Sequence, residues 1–258
     1  MRDPSVDTLL EGLVAGVQAV LGDDLVGVYL YGSYVSGGFD PGVSDLDLIA
    51  VTSREPEELD LEGLGQVHDA FVNANPDWND RLEIVYISRA ALRSFRTSAA
   101  RLAVISPGEP FHVRDDRVVE WLQNWYLIRE TGVVLHGPAA ASLVPPISMA
   151  EFVAAAARYA DQISRQSLHD ATPGARAYAV VTISRALRTV ETQAHASKHE
   201  GATWAKERMP EWAWLIDEAL GCRLAKGTLG FDDERTRAGA EEFIARVAAR
   251  IEQTHAAS

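Results

Sequence analysis

The chain has 258 residues, 47% of them hydrophobic and 24% charged, with a formal net charge of −13 at pH 7. That length accommodates one large or two modest domains, and the composition is that of an ordinary globular protein. One cysteine, Cys222, excludes an internal disulfide and any cysteine-rich metal cluster.

The charge is uneven. Residues 1–80 hold 16 Asp plus Glu against 2 Arg, whereas the remainder carries 21 acids and 22 bases. A nucleic-acid backbone needs basic contacts, so this balance argues against such a partner and for a cationic small molecule. No run reads as long and apolar enough to cross a bilayer. Met1-Arg2-Asp3-Pro4 does not read as a leader, and the cytoplasm is the expected compartment.

In chain order, Val6, Leu9, Leu10, Leu13, Val14, Val17 and Leu21 are spaced for a helix over 5–21, ended by Gly22-Asp23-Asp24. An apolar strand over 25–31 leads into Gly32-Ser33. Asp45 and Asp47 then alternate with Leu46 and Leu48 at the head of a second strand, 45–52. A helix over 56–75 is opened by Pro56, with Glu57 and Glu58 in its first turn. A third strand, 82–87, carries Glu83 on the face opposite Leu82, Ile84 and Tyr86, and a short helix over 89–98 follows.

Pro107 to Arg114 reads as a loop, and the strand pattern fades beyond about residue 115. A helix rich in aromatics (Trp121, Trp125, Tyr126) covers 117–130. A short extended piece over 131–138 ends at Gly137-Pro138. Pro145-Pro146 breaks the chain before Ser148, a predicted N-cap. Five helices are expected after it, over 149–168, 175–195, 198–208, 211–222 and 233–254. The domains expected are 1–145 and 146–258.

The chemistry lies in residues 30–48. Side chains two apart on an extended chain share a face, so Asp45 and Asp47 project together while Leu46 and Leu48 enter the core. Adjacent carboxylates repel unless a positive group lies between them, and hard divalent cations with oxygen ligands fill that role. The Gly-Ser turn adds backbone N–H groups and a hydroxyl suited to phosphate oxygens. Asp-x-Asp alone is common at solvated strand ends, and Gly-Ser alone is weaker still. Together, in this order and between apolar strands, they point to nucleotide chemistry.

Gly32-Ser33 followed by Ser44-Asp45-Leu46-Asp47-Leu48 resembles the signature of the nucleotidyltransferase superfamily related to DNA polymerase beta. Arg129 to Pro138, Val181-Thr182-Ile183-Ser184-Arg185, Ser197-Lys198, Ala202-Thr203-Trp204-Ala205 and Met209-Pro210 are similar to streptomycin/spectinomycin (3''/9-type) aminoglycoside adenylyltransferases. The resemblance implies an α+β fold: a polymerase-beta-like catalytic domain with a small mixed sheet, then an all-α helical domain that helps bind ATP and substrate. It implies Mg²⁺, as two ions, on Asp45 and Asp47 with Glu83 completing the site. It makes Glu83 the base, and Gly32, Ser33, Arg185 and Lys198 the contacts to ATP. The reaction implied is AMP transfer from ATP to a hydroxyl of an aminocyclitol antibiotic, with pyrophosphate released, by a cytoplasmic monomer with no nucleic-acid or membrane partner.

Streptomycin-modifying members of that family use a tryptophan in the loop after the base and two acids before the helix of the matched arginine. Here those acids fall on Ala171 and Ala175, beside Asp170, and no tryptophan stands near Phe111. Spectinomycin is therefore favoured over streptomycin, and His112 in the same segment is a candidate substrate contact. A non-antibiotic hydroxylated metabolite, a protein acceptor and a non-catalytic nucleotide-binding regulator are the competing readings.

Overall fold

The computed structural model describes residues 4–97, 99–168, 170–225 and 230–256, so the reading of Met1-Arg2-Asp3 lies outside the described residues. The chain divides into two units, Met1–Ile147 and Ser148–Ser258.

In the first unit α1 (Pro4–Leu21) leads into β1 (Leu25–Tyr31), and α2 (Ser33–Ser36) is a single turn before β2 (Leu46–Thr52). Next come α3 (Leu61–Ala74), β3 (Leu82–Ser88), α4 (Arg89–Arg93), β4 (Ala99–Ser106), β5 (Glu109–Arg117), α5 (Leu122–Thr131) and β6 (Val133–His136). The strands form one mixed sheet in the order β5-β4-β3-β2-β1-β6. β2 and β3 are parallel, with α3 in the crossover between them, and the other neighbours are antiparallel. Crossover through a helix is what a parallel pair requires.

One sheet face buries Leu46, Leu48, Ala50, Leu82, Ile84 and Tyr86 in a core shared with α1 and α3. Strand alternation sends Tyr31, Asp47 and Glu83 to the other face, where α5 packs on β1. By length and composition α1 is apolar enough to cross a membrane, contrary to the sequence expectation. Its stripe of Val6, Leu10, Leu13, Val17 and Leu21 is instead buried in this core.

Three expectations need correction. The helix over 56–75 is a 3-10 turn, Pro56–Glu58, followed by α3, because Asp60 caps a new helix by accepting the Gly63 N–H at 2.9 Å. The helix over 89–98 ends at Arg93. The stretch read as a loop forms a β4–β5 hairpin, turning at Gly108 with φ 78°. β5 is a sheet edge rich in charged residues, a protection against edge pairing that erases the apolar period.

The second unit holds α6 (Met149–Ser164), α7 (Pro173–Thr192), α8 (Lys198–Arg208), α9 (Ala213–Leu224) and α10 (Glu234–Ala256). Ser148 caps α6 as predicted, accepting the Glu151 N–H at 3.2 Å while the Glu151 carboxylate reaches back to the Ser148 N–H. Ser197 and Glu200 make the same box on α8. α7 runs through the middle of the unit, burying Ala177, Val180, Val181, Ile183 and Leu187. α8 lies so close to it that a Cβ on Gly201 would stand 2.4 Å from the Arg185 Cα.

Between α3 and β3, His68 is 1% exposed, and its Nε2 lies 2.8 Å from the Tyr86 hydroxyl. Its Nδ1 has no hydrogen-bond partner. Protonation would bury a charged N–H without an acceptor, so burial lowers the His68 pKa from 6.5 to about 4. The unfolded chain then binds the extra proton first, and stability present above pH 6.5 falls as the pH drops toward 4. The expected loss is about 3 kcal/mol. Urea unfolding across that window should show it in the wild type, and the loss should shrink in His68→Gln.

Candidate active site

Register places the site. Tyr31, the last residue of β1, pairs with Asp47 on β2, and Asp47 pairs with Glu83 on β3. Neighbouring strands lie about 4.8 Å apart, so a tyrosine and two carboxylates stand in one row on one face. Asp47 and Glu83 are each the one half-exposed residue in an otherwise buried strand. The sequence therefore reserves these positions for polar groups at a cost in core packing.

Gly32 follows Tyr31 with φ 73° and ψ −153°, a region essentially confined to glycine. A Cβ at this position would lie 1.8 Å from Asp47 Oδ2. Glycine is thus required twice over, for the backbone angle and for the close approach of the turn to the carboxylate. Ser33, half-buried, is the first residue of α2. The Gly32 carbonyl accepts from the Ser36 N–H at 3.0 Å and the Ser36 hydroxyl at 2.9 Å, which fixes the turn.

The approach to β2 is fixed by Arg81. Its Nε and Nη2 donate to the Ser44 carbonyl at 3.0 and 2.6 Å, its Nη1 donates to the Asp77 carbonyl at 3.0 Å, and its guanidinium lies 4.3 Å from the Trp78 ring centre. The Leu46 N–H donates to the Arg81 carbonyl at 2.9 Å. Burial lowers the Arg81 pKa, and the negative charges of Asp45 and Asp77 oppose that shift. Asp45, just ahead of β2, therefore lies in the field of Arg81.

The Tyr31 hydroxyl donates to Glu83 Oε1 at 3.3 Å and accepts from Asn124 Nδ2 at 3.0 Å. Burial, then the charges of Glu83 and Asp47, push this hydroxyl well above its ordinary range, so it remains a donor. Neither Tyr31 nor Asn124 was expected from the sequence. Tyr31 reads there as one more apolar strand residue, and nothing in the helix pattern marks Asn124.

The donors suit a hard cation, since all three acids offer carboxylate oxygen. Among the described residues, however, no three His, Cys, Asp or Glu side chains are gathered into a metal-holding group. Asp47 and Glu83 stand side by side across the parallel pair, and Asp45 lies just before the strand with its charge acting on Arg81. That arrangement still fits Mg²⁺, which commonly takes one or two carboxylates and completes its shell with substrate phosphate oxygens and water.

In the second unit, Arg185 on α7 and Lys198 at the start of α8 converge on Tyr178. Lys198 Nζ lies 4.3 Å from the Tyr178 ring centre. Lys198 first, and Arg185 after it, lower the pKa of the Tyr178 hydroxyl against the effect of burial. The neighbouring cations are neutralised, Arg188 by Glu200 at 3.5 Å and Lys206 by Asp217. Thr172 caps α7 by accepting the Ala175 N–H at 3.2 Å, and the Ala171 carbonyl accepts from the buried Arg176, so both alanines serve the local backbone. Phe111 is packed edge-on against His68, 4.8 Å between ring centres, while His112 Nδ1 lies 2.8 Å from the Pro110 carbonyl oxygen on the sheet edge.

Two family patterns match this chain: the nucleotidyltransferase domain over residues 17–96, and the aminoglycoside adenylyltransferase C-terminal domain over 142–250. The chain is 28% identical over 266 residues to an aminoglycoside (3'') (9) adenylyltransferase of Escherichia coli, covering 95% of each chain. It is 24% identical over 212 residues to a spectinomycin 9-adenylyltransferase of Staphylococcus aureus, covering 79% of each. The fold matches a crystal structure of spectinomycin adenyltransferase AAD(9) from Enterococcus faecialis with ATP and spectinomycin, with a TM-score of 0.71, 17% identity, and 95% and 98% of the two chains covered. With the nucleotidyltransferase domain and the aminoglycoside adenylyltransferase C-terminal domain both matched, the chain is an adenylyltransferase enzyme similar to the aminoglycoside adenylyltransferases.

Proposed function

We propose that this enzyme transfers AMP from ATP to a hydroxyl of an aminocyclitol antibiotic, with spectinomycin preferred to streptomycin, in the cytoplasm and as a monomer. The observation that carries the reading is the row of Asp47 and Glu83 across parallel strands, with Gly32 pressed against Asp47. Relatives named for spectinomycin and for 3'' and 9 adenylylation support the substrate class, and the ATP complex of the structural neighbour supports the co-substrate.

Glu83 takes the proton of the acceptor hydroxyl, whose oxygen attacks the α-phosphorus as the bond to pyrophosphate breaks. Asp45 and Asp47, with Glu83, hold Mg²⁺, which when bound neutralises phosphate charge and stabilises the entering and leaving oxygens. Ser33 and the Gly32 backbone receive the terminal phosphates. Arg185 and Lys198 bind triphosphate oxygens as charge-assisted donors. Positioning and electrostatics supply most of the acceleration.

Streptomycin carries guanidinium groups that want carboxylate partners, and Ala171 and Ala175 offer none. The same two alanines support, as a second reading, a different hydroxylated amine as acceptor.

The test is incubation with ATP, Mg²⁺ and an antibiotic panel, reading pyrophosphate release and product mass. A gain of one AMP on spectinomycin and none on streptomycin is expected, and no adduct on any panel member would overturn the antibiotic assignment. Glu83→Gln should lower kcat on the order of 10²- to 10⁴-fold while ATP still binds. Lys198→Ala should weaken ATP binding by about tenfold or more in calorimetry, as loss of a charge-assisted contact does.

A further inference from the structure

We propose that Tyr31 is a positioning residue, aimed by Asn124, that holds the Glu83 carboxylate in one orientation for proton transfer. The inference rests on the reading of Glu83 as the base and adds a residue pair that the family signature does not contain.

Hydrogen-bond direction decides where the phenolic proton goes. An amide nitrogen only donates, so Asn124 Nδ2, 3.0 Å from the Tyr31 oxygen, occupies a lone pair there and cannot take the phenolic proton. That proton is left to point at Glu83 Oε1, 3.3 Å away. A glutamate side chain has several rotatable bonds and loses much rotamer freedom when fixed. Beside it in register stands Asp47, whose like charge favours any orientation that parts the two. A fixed donor on one carboxylate oxygen opposes both tendencies and leaves the other oxygen to meet the acceptor hydroxyl.

The donor is itself rigidly mounted. Tyr31 is 3% exposed at the end of a buried strand. Asn124 sits on α5 between the buried Leu122, Trp125 and Ile128, and Trp125 Nε1 donates to the Val118 carbonyl at 2.8 Å. Groups supported in this way keep catalytic geometry better than groups on loops. The Tyr31–Glu83 bond is longer than the usual 2.7–2.8 Å for two oxygens, so the expected effect is moderate.

The experiment compares wild type, Tyr31→Phe, Asn124→Asp and Glu83→Gln with ATP, Mg²⁺ and spectinomycin. Tyr31→Phe should lower kcat by about tenfold with the KM for ATP and the Tm unchanged. Asn124→Asp keeps the size but supplies an acceptor that draws the phenolic proton away, and should match it. The two together should be no worse than either alone. Crystal structures supply a readout free of turnover: one Glu83 orientation in the wild type and more than one in Tyr31→Phe. Wild-type kcat in both Tyr31→Phe and Asn124→Asp, with Glu83→Gln inactive, overturns this inference and leaves the base intact. An active Glu83→Gln overturns the base itself. A single, unchanged Glu83 orientation in Tyr31→Phe overturns the positioning role whatever the acceptor proves to be.

Discussion

Two carboxylates held side by side on parallel strands, Asp47 and Glu83, are the constraint around which the first unit is arranged. Like charges at that spacing raise the cost of keeping both ionised, and a protein without use for them would bury apolar groups there. The rest of β2 and β3 does so, leaving one half-exposed acid in each strand. Three devices make the pair tolerable. Parallel pairing through α3 fixes the register, Arg81 ties down the chain entering β2, and the Tyr31 hydroxyl donates to Glu83. Gly32 adds the close turn, its positive φ open to glycine and its missing Cβ leaving room for Asp47.

In the second unit the candidate phosphate-binding cations are Arg185 and Lys198. Gly201 lets α8 approach the Arg185 backbone, and the Ser197–Glu200 box begins α8 where Lys198 lies against Tyr178. Arg188 and Lys206 nearby are neutralised by acids of their own helices' neighbours.

Much of this was legible in the sequence, for identifiable reasons. Strands β1, β2 and β3 are apolar runs bounded by turn residues, and an Asp-x-Asp interrupting such a run is conspicuous. The helices of the second unit carry clear caps and helical periods. The β4–β5 hairpin was hidden because an edge strand that protects itself with charge loses the apolar alternation by which strands are read. The break before α3 turned on Asp60 acting as a cap, one residue among several acids able to do so. At the site, Asp47 and Glu83 were legible because acids within apolar strands stand out. Tyr31 was not, because its hydroxyl matters only once three strands are in register. Nor was Asn124, since what it does depends on where α5 lies on the sheet.

The central claim is that the Asp47–Glu83 pair takes a divalent cation together with nucleotide. The most direct measurement is Mn²⁺ binding followed by electron paramagnetic resonance, with and without a non-hydrolysable ATP analogue, in wild type and Asp47→Asn. Binding should strengthen with nucleotide and fall at least tenfold when the Asp47 charge is removed. Equal binding in the two proteins, or binding indifferent to nucleotide, would contradict it.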